Sequence, residues 1–181
     1  MMEPWIETNS GKKFWYTGDS TDGIEIEDIA KSLSKMCRFT GHCKSFYSVA
    51  EHSVNVSALL PAEKRLWGLL HDASEAYLAD IASPVKQLLP EYKTLENKIM
   101  SRIAQRFGLP DKFWEDEEVK RADWAQLKAE AAVLLPSGGT DWYFPEGLPN
   151  GLKPLLHPPG GAEYSFMLAF KSWSGNVKRA A

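Results

Sequence analysis

The stretch LLHDASEAYLAD, residues 69–80, decides how the rest of the sequence is interpreted. Its leucines and alanines recur at spacings of three and four, which is the pattern of a helix with one buried face. The same segment carries four ionisable groups, His71, Asp72, Glu75 and Asp80. Burying a carboxylate without a partner costs on the order of several kcal/mol, so these groups need a nearby positive charge. A bound metal ion would supply one.

The size and composition of the chain limit its class. A chain of 181 residues suits one domain, expected over 1–181, because a second core would be cramped. Its 44% hydrophobic and 25% charged residues are typical of a globular protein, and no apolar run approaches the roughly 20 residues of a membrane helix. Lysine and arginine form no run longer than two, so we expect neither a nucleic-acid polymer nor a membrane as partner.

The amino terminus and the cysteines indicate the compartment. The start, MMEPWIETNSGKKFW, lacks the charged and then apolar plan of a signal peptide. Cys37 and Cys43 form neither a CxxC pair nor a disulfide framework. We therefore expect a protein of a reducing cytoplasm.

Helical periodicity dominates the chain and convincing strand alternation is almost absent, so we predict an all-α fold. Residues 1–23 are polar and punctuated by glycine. Residues 136–161 hold six of the eleven prolines and are predicted to be an irregular excursion before a last helix at about 162–174. The other predicted helices are IEIEDIAKSLSKM ending near Cys37, FYSVAEHSVNVSALL, a segment from Ala62 through LLHDASEAYLAD, EYKTLENKIMSRIAQRFG ending at Gly108, and residues from about 117 to 135.

Three of these helices bring ionisable side chains to apolar faces. His52 comes from one, His71 and Asp72 from the next, and Asp123 from a third. Two imidazoles and two carboxylates suit a divalent cation such as zinc, cobalt, manganese or iron, with positions left open for water and substrate. A single buried histidine is more often a hydrogen-bonded core residue. The combination favours a metal site, because the chain offers no equally well-placed lysine or arginine for both Asp72 and Asp123.

The order H…HD…D resembles the HD-domain metal-dependent phosphohydrolases. The longer strings AEHS at 50–53, HDASEAYLADIASPVK at 71–86 and RADWAQLKAE at 121–130 resemble the small bacterial 5'-deoxynucleotidases of that superfamily and related phage-encoded enzymes. The resemblance spans about 25–135 and implies a helical bundle in which His52, His71, Asp72 and Asp123 bind the metal. His52 and His71 are only nineteen residues apart, a shorter spacing than in many relatives, which leaves the substrate size open.

Two further carboxylates are candidate catalytic groups. Glu75 is predicted to lie one helical turn beyond His71 and Asp72 on the same side, where it can orient water or move a proton as general acid or base. Asp80 is predicted two turns after Asp72. It resembles the carboxylate that family members use near the water or the sugar hydroxyl, which makes it both a catalytic and a substrate-binding candidate; a helix cap or a solvated charge is the alternative.

The remaining substrate contacts are expected near the phosphate and the sugar. Arg38, about fourteen residues before His52 as in the deoxynucleotidases, and Lys86, after Pro84 near the start of a short helix, are predicted to neutralise phosphate oxygens. Pro84 is predicted to contact the substrate as well. Phe39 occupies a place where these relatives have an aromatic residue that packs on the sugar or the base, although it could equally belong to the core.

Several other residues carry weaker signals. His42 and Cys43 lie in a loop without a recognised zinc spacing, so they are more easily structural, with a substrate contact open to His42. His157 belongs to the excursion. Residues 142–144, Trp-Tyr-Phe, either cover a base pocket or pack on the domain.

The sequence thus predicts metal-assisted hydrolysis of a small deoxynucleotide. A 5'-deoxynucleotidase would release phosphate from a dNMP, whereas a triphosphohydrolase would release triphosphate from a dNTP such as dATP. A nucleotide sensor without turnover is a third possibility, which Glu75 and Asp80 disfavour, and four histidines are too few for a two-metal cyclic-nucleotide phosphodiesterase. We also expect a homo-oligomer in the cytoplasm of a bacterial or phage-infected cell.

Overall fold

The computed structural model describes residues 3–177 and is mainly helical, which confirms the helical class predicted from periodicity. Its helices are α1 Ile26–Lys35, α2 Val49–Ala58, α3 Arg65–Leu70, α4 Glu75–Leu78, α5 Ser83–Lys86, α6 Pro90–Phe107, α7 Glu117–Leu134 and α8 Pro159–Val177. Short 3-10 turns occur at Phe39–Gly41, Ala62–Lys64 and Phe113–Glu115. No helix within residues 3–177 combines the length and the apolar content needed to cross a membrane.

A small hairpin was not predicted. Strands β1 Trp5–Glu7 and β2 Lys13–Trp15 pair antiparallel, with Ile6 opposite Phe14. Three-residue strands are too short for alternation to stand out in a polar, glycine-punctuated segment. Phe14 is fully buried and stacks on Tyr77 with 3.9 Å between ring centroids, so the hairpin covers one side of the core.

The core lies where α8 packs against α1, α2 and α3. Helix α8 contributes Ala162, Phe166 and Ala169, spaced four and three residues apart, so they form one buried stripe. Helix α2 also packs against α3 and α7. At Gly68 an added Cβ would lie 2.9 Å from the backbone Cα of Ser57 in α2, so a glycine is needed for the close approach of α3 to α2.

The predicted third helix is interrupted, and the prediction of a continuous helix to residue 80 was wrong. Helix α3 ends at Leu70. The backbone hydrogen bonds that follow connect residues only three positions apart, as in Ala73 N–H to Leu70 O and Glu75 N–H to Asp72 O. The chain is therefore wound more tightly than an α-helix between 71 and 77. Helix α4 then ends at once, because Ala79 adopts φ 71°, a left-handed value that an L-residue rarely takes.

The predictions for the last three helices, α6 to α8, differ from the structure only at the helix ends. Helix α7 covers the predicted segment to within one residue, and Gly108 caps α6 in a left-handed conformation as expected. Helix α8 begins at Pro159, three residues before the predicted start, with a proline at a position where its missing N–H is not needed. The segment before it is irregular, as predicted.

Candidate metal centre

Helices α2 and α7 and the turn after α3 bring the four predicted ligands to one place. Ser48 caps α2 by accepting a hydrogen bond from Glu51 N–H, and His52 follows one turn later with a fully buried side chain. The imidazoles of His52 and His71 lie 5.3 Å apart between ring centroids. Asp72 adjoins His71, and Asp123 comes from the middle of α7.

Each imidazole is oriented through its Nδ1 atom. Nδ1 of His52 lies 2.7 Å from Oε1 of Glu130, and Nδ1 of His71 lies 2.7 Å from the carbonyl oxygen of Gly68. An ionised Glu130 and a backbone carbonyl oxygen have no proton to donate and can only accept a hydrogen bond, so Nδ1 is the donor in each case. The neutral tautomer then leaves a lone pair on Nε2, the arrangement found in metal-ligating histidines.

The two Nε2 atoms face carboxylate oxygens rather than hydrogen-bond donors. His52 Nε2 lies 3.1 Å from Asp123 Oδ1, and His71 Nε2 lies 3.2 Å from Asp72 Oδ2. Within the described residues, neither buried Nε2 atom has a partner with hydrogen-bond geometry. Ligand atoms of His52, His71 and Asp72 all lie within 4.8 Å of one another, so this group can hold a metal ion. An unpartnered pair of nitrogens beside carboxylates fits a bound cation.

The electrostatics of the cluster also require a positive charge. Burial alone would lower the pKa of His71, but the Asp72 and Asp123 carboxylates outweigh it and raise that pKa well above its ordinary value. Burial raises the pKa of Asp72, yet the two imidazoles more than offset this and lower it. Both shifts show that the cluster favours positive charge between its carboxylates. A divalent cation would supply such charge, and nitrogen and oxygen donors suit zinc, cobalt, manganese or iron.

Asp72 and Asp123 of the cluster line a pocket of about 650 Å³, within the size range of small-molecule sites. The remaining residues predicted for catalysis or substrate binding all line this pocket: Arg38, Phe39, Glu75, Asp80, Pro84 and Lys86. Two of them reach it differently from the prediction. Asp80 lies beyond the end of α4 instead of on a helical face, and Lys86 ends the short helix α5 instead of starting it.

Glu75 is buried, and its two carboxyl oxygen atoms have different surroundings. Its Oε1 atom accepts a hydrogen bond from Lys86 Nζ at 3.2 Å, while its Oε2 atom is buried without a hydrogen-bond partner among the described residues. Burial, followed by the charges of Asp72 and Asp80, raises the pKa of Glu75 well above its ordinary value. Lys86 is also held by Glu96, 2.8 Å away. Glu75 is thus protonated more easily than an ordinary glutamate, which suits a group that transfers a proton.

The position of Arg38 differs from the expectation that Asp72 and Asp123 lack a well-placed arginine or lysine. Its Nη1 atom lies 3.8 Å from Asp72 Oδ2, so one of the two aspartates, both of which are only partly buried, does have an arginine nearby. The guanidinium makes a shorter contact with Glu130 through Nε, at 3.0 Å. The next two residues, Phe39 and Thr40, have φ values of 57° and 53°, and such left-handed strain in non-glycine residues concentrates at functional sites.

Three buried glutamates around the site were missed. Glu130 holds His52 and accepts a hydrogen bond from Tyr47, and its position seven residues after Asp123, on the same face of α7, was the available signal. Glu96 pairs with Lys86 across ten residues of sequence, without a local pattern. Glu51 accepts backbone hydrogen bonds from residues 155–157, which no spacing in the sequence indicates.

Some of the weaker candidates line the pocket and the others do not. His42, Trp142 and Tyr143 line the pocket. Cys37 and Cys43 are free thiols with 3.5 Å between their Sγ atoms, and burial with the neighbouring thiol raises the pKa of Cys43 to about 11. His157 does not line the pocket, and its backbone N–H donates to Glu51.

Comparison with known proteins places the chain in a family. No family model matches it. The chain is 44% identical over 174 residues to the uncharacterized protein YfdR of Escherichia coli, an alignment that covers 94% of this chain and 96% of YfdR. It is 32% identical over 183 aligned positions to an uncharacterized protein of Rhodobacter capsulatus, covering 92% of this chain and 93% of that protein. The chain belongs to the family of these two bacterial proteins.

Proposed function

We propose that this family member is an HD-domain metal-dependent phosphohydrolase that releases phosphate from deoxynucleoside 5'-monophosphates. One observation supports this function above the others. Two imidazoles oriented by Glu130 and by Gly68 O direct unpartnered Nε2 atoms at the carboxylates of Asp72 and Asp123, in the wall of a pocket that also contains Glu75. The H…HD…D order and the strings around it resemble that superfamily.

The residues around the cluster have complementary tasks in this reaction. A bound divalent cation supplies a Lewis acid that polarises a phosphate oxygen and lowers the pKa of water. The guanidinium of Arg38, which lies next to Asp72, donates hydrogen bonds to the phosphate. Glu75, whose pKa is raised, holds a proton on the carboxyl group that Lys86 orients, and we infer that it donates this proton to the leaving oxygen of the sugar.

The charges of the pocket favour a monophosphate over a triphosphate. Besides His42 and Tyr143, its ionisable lining comprises four carboxyl groups and two cationic side chains, Asp72, Glu75, Asp80, Asp123, Arg38 and Lys86. Both cations already contact carboxylates, Arg38 at Glu130 and Lys86 at Glu96. With Glu75 protonated, three carboxylates and two cations leave an excess of one negative charge, which one divalent cation more than offsets, and a phosphate monoester adds about −1.5 to −2 more. A triphosphate would bring additional charge with no further cation in the lining to receive it.

A screen of nucleotide hydrolysis tests the proposal. The purified chain, loaded in turn with zinc, cobalt and manganese, is incubated with all common ribo- and deoxynucleoside mono-, di- and triphosphates, and phosphate and triphosphate are measured separately. We expect phosphate from dNMPs. Release of triphosphate from dNTPs would establish the alternative cleavage position, and binding without any turnover would establish a nucleotide sensor.

Variants of the cluster test the metal ligands. His71→Ala and Asp72→Ala are expected to lose both bound metal, measured by elemental analysis, and hydrolysis, while circular dichroism shows a helical protein. His157→Ala, which changes a histidine whose side chain does not line the pocket, serves as control. Wild-type metal content in both cluster variants would contradict the ligand assignment.

A further inference from the structure

Four aromatic side chains line the pocket, and we call them the aromatic cleft: Phe39, Trp124, Trp142 and Tyr143. The rings of Phe39 and Trp142 lie 6.2 Å apart between centroids. Phe144, the next residue along, packs edge-on against Trp124 at 6.2 Å and is tilted against Trp142 at the same distance. Phe144 therefore supports the cleft from behind, while its neighbours line the open space.

The cleft leaves large aromatic surfaces in contact with water. Trp142 is 42% exposed, Trp124 39% and Tyr143 82%. Three partly exposed aromatic residues at one pocket, beside a buried charged cluster, are an arrangement suited to a ligand with a charged end and a flat apolar end. The cleft side chains carry no charge, so the flat part of the ligand is held by stacking.

The segment that carries Trp142 is fixed to the helices of the metal centre at its far end. The side chain of Gln126 donates to Leu152 O at 3.0 Å and accepts from Leu152 N–H at 2.9 Å. Next to it, a Cβ on Gly151 would lie 2.4 Å from Ala125 O, so only glycine allows this contact with α7. Arg121 also donates to Gly147 O. Arg121 and Gln126 stand on either side of Asp123 in α7.

A second attachment joins the segment to α2. Both carboxylate oxygens of Glu51 accept backbone hydrogen bonds, Oε1 from Leu155 and Leu156 at 2.6 and 3.0 Å, and Oε2 from His157 at 2.7 Å. Glu51 directly precedes His52 in α2. The helices that supply candidate metal ligands thus also hold the segment that follows the cleft in the chain.

We propose that the aromatic cleft binds the nucleobase of the substrate, with Trp142 as the main stacking surface. This inference rests on the proposed phosphohydrolase function, since the metal centre fixes the phosphate end and the cleft receives the other end. Stacking tolerates every base because each has a π face. The cleft therefore selects nucleotides over sugar phosphates without a base, and larger purine rings bind more tightly than pyrimidines.

Binding is measured separately from turnover. Calorimetry on metal-loaded Glu75→Gln protein compares dAMP, dCMP and the base-free probe 2-deoxyribose 5-phosphate. We expect dAMP to bind roughly 5- to 150-fold more tightly than 2-deoxyribose 5-phosphate, the factor that corresponds to stacking of one base on an aromatic side chain. Adding Trp142→Ala should remove most of this factor while leaving the affinity for 2-deoxyribose 5-phosphate unchanged, and Trp142→Phe should restore part of it.

A matched control is Trp5→Ala. Trp5 is 40% exposed, close to the value for Trp142, but lies in the hairpin and does not line the pocket. It should leave all three affinities at their starting values. Equal binding of dAMP and 2-deoxyribose 5-phosphate before Trp142 is changed would overturn the inference. So would a Trp142→Ala variant that weakens both ligands alike, because that result indicates a structural role.

The outcomes also separate this inference from the proposed function. A wild-type protein that hydrolyses no nucleotide, but whose Trp142-dependent preference for dAMP persists, would refute the phosphohydrolase and retain the cleft as a base-binding site. Hydrolysis of dAMP and 2-deoxyribose 5-phosphate with equal kcat/KM would support the phosphohydrolase and refute the cleft.

Discussion

Nδ1 of His52 lies 2.7 Å from Oε1 of Glu130, and both side chains are fully buried. Glu130 also accepts hydrogen bonds from Tyr47 and Arg38. Seven residues earlier in the same helix, Asp123 approaches Nε2 of the same imidazole at 3.1 Å. One face of α7 therefore provides a candidate ligand and also the carboxylate that orients the histidine opposite it.

Glu130→Gln should weaken metal binding without removing a ligand. The amide oxygen can still accept from His52, but the negative charge that raises the basicity of the imidazole is lost. We expect the affinity for zinc or manganese to fall about 10- to 100-fold, the usual effect of losing such an outer partner. Competition with a chelator measures the change. Glu117→Gln, an exposed glutamate in the first turn of α7, is the control. Unchanged affinity would show that Glu130 only holds Arg38 and Tyr47.

The group of candidate metal ligands could be predicted because its pattern is local. His52 and Asp123 interrupt apolar stripes of period 3.6, and this remains visible in the sequence even though α3 and α4 are not continuous. The break after Leu70 could not be predicted, since the segment has helical periodicity throughout and the tight turn is stabilised by contacts that the sequence does not display. Asp80 reaches the pocket because Ala79 turns the chain, not because of helical spacing.

Glu75→Gln should retain the metal and lose activity. The amide keeps the size and the hydrogen bond to Lys86 but cannot donate a carboxylic proton. We expect kcat to fall on the order of 10²- to 10⁴-fold, the range for a general acid or base. Glu91→Gln, in the exposed first turn of α6, should have wild-type kinetics. Near-normal turnover by Glu75→Gln with full metal content would remove Glu75 from the mechanism.

Asp116 should make the stability of α7 depend on pH. It caps α7 by accepting from Glu118 and Val119 N–H, and Lys64 donates to it at 2.9 Å. Burial raises the pKa of Asp116, but the hydrogen bonds from Lys64 and Val119 more than offset this and lower it. Because the folded pKa is lower than the unfolded one, the stabilisation is complete above about pH 4 and is lost as the pH falls through the folded value.

We therefore expect Asp116→Ala to lower the free energy of unfolding by about 0.5–2 kcal/mol at pH 7, the range for losing a helix cap. Urea titration from pH 7 to pH 3 measures the difference, which should shrink as the pH falls below about 4. Asp22→Ala changes an exposed aspartate outside the helices and should be neutral at each pH. A difference that stays constant down to pH 3 would mean that the ionised cap is not responsible.

The contacts that the sequence did not predict join residues that are far apart along the chain. Glu51 and the backbone of residues 155–157 are more than a hundred positions apart, and Gln126 meets Leu152 across twenty-six. Such pairs arise from the packing of the excursion on α2 and α7, which no periodicity encodes. Composition predicted that residues 136–161 are irregular and left open whether Trp142, Tyr143 and Phe144 cover a base pocket or pack on the domain. The structure places Trp142 and Tyr143 in the lining of the pocket.

Phe39 should select the sugar of the substrate. Its ring centroid lies 5.5 Å from the Arg38 guanidinium and 6.2 Å from the ring centroid of Trp142. The sugar joins the phosphate to the base and must pass this ring. An aromatic surface against C2' offers a hydroxyl no hydrogen bond, so a ribonucleotide would bury an unsatisfied polar group. That costs about 1–3 kcal/mol, or roughly 5- to 150-fold in kcat/KM.

The measurement compares kcat/KM for dAMP and AMP in wild type and in Phe39→Ala, with Phe46→Ala as control because Phe46 is 36% exposed and does not line the pocket. We expect wild type and the control to prefer dAMP, and Phe39→Ala to use both nucleotides at similar rates. Trp142→Ala should keep the preference, since it acts on the base and not on the sugar. Equal use of AMP and dAMP by wild type would exclude selection at C2', and undiminished selection in Phe39→Ala would assign it to another residue of the pocket.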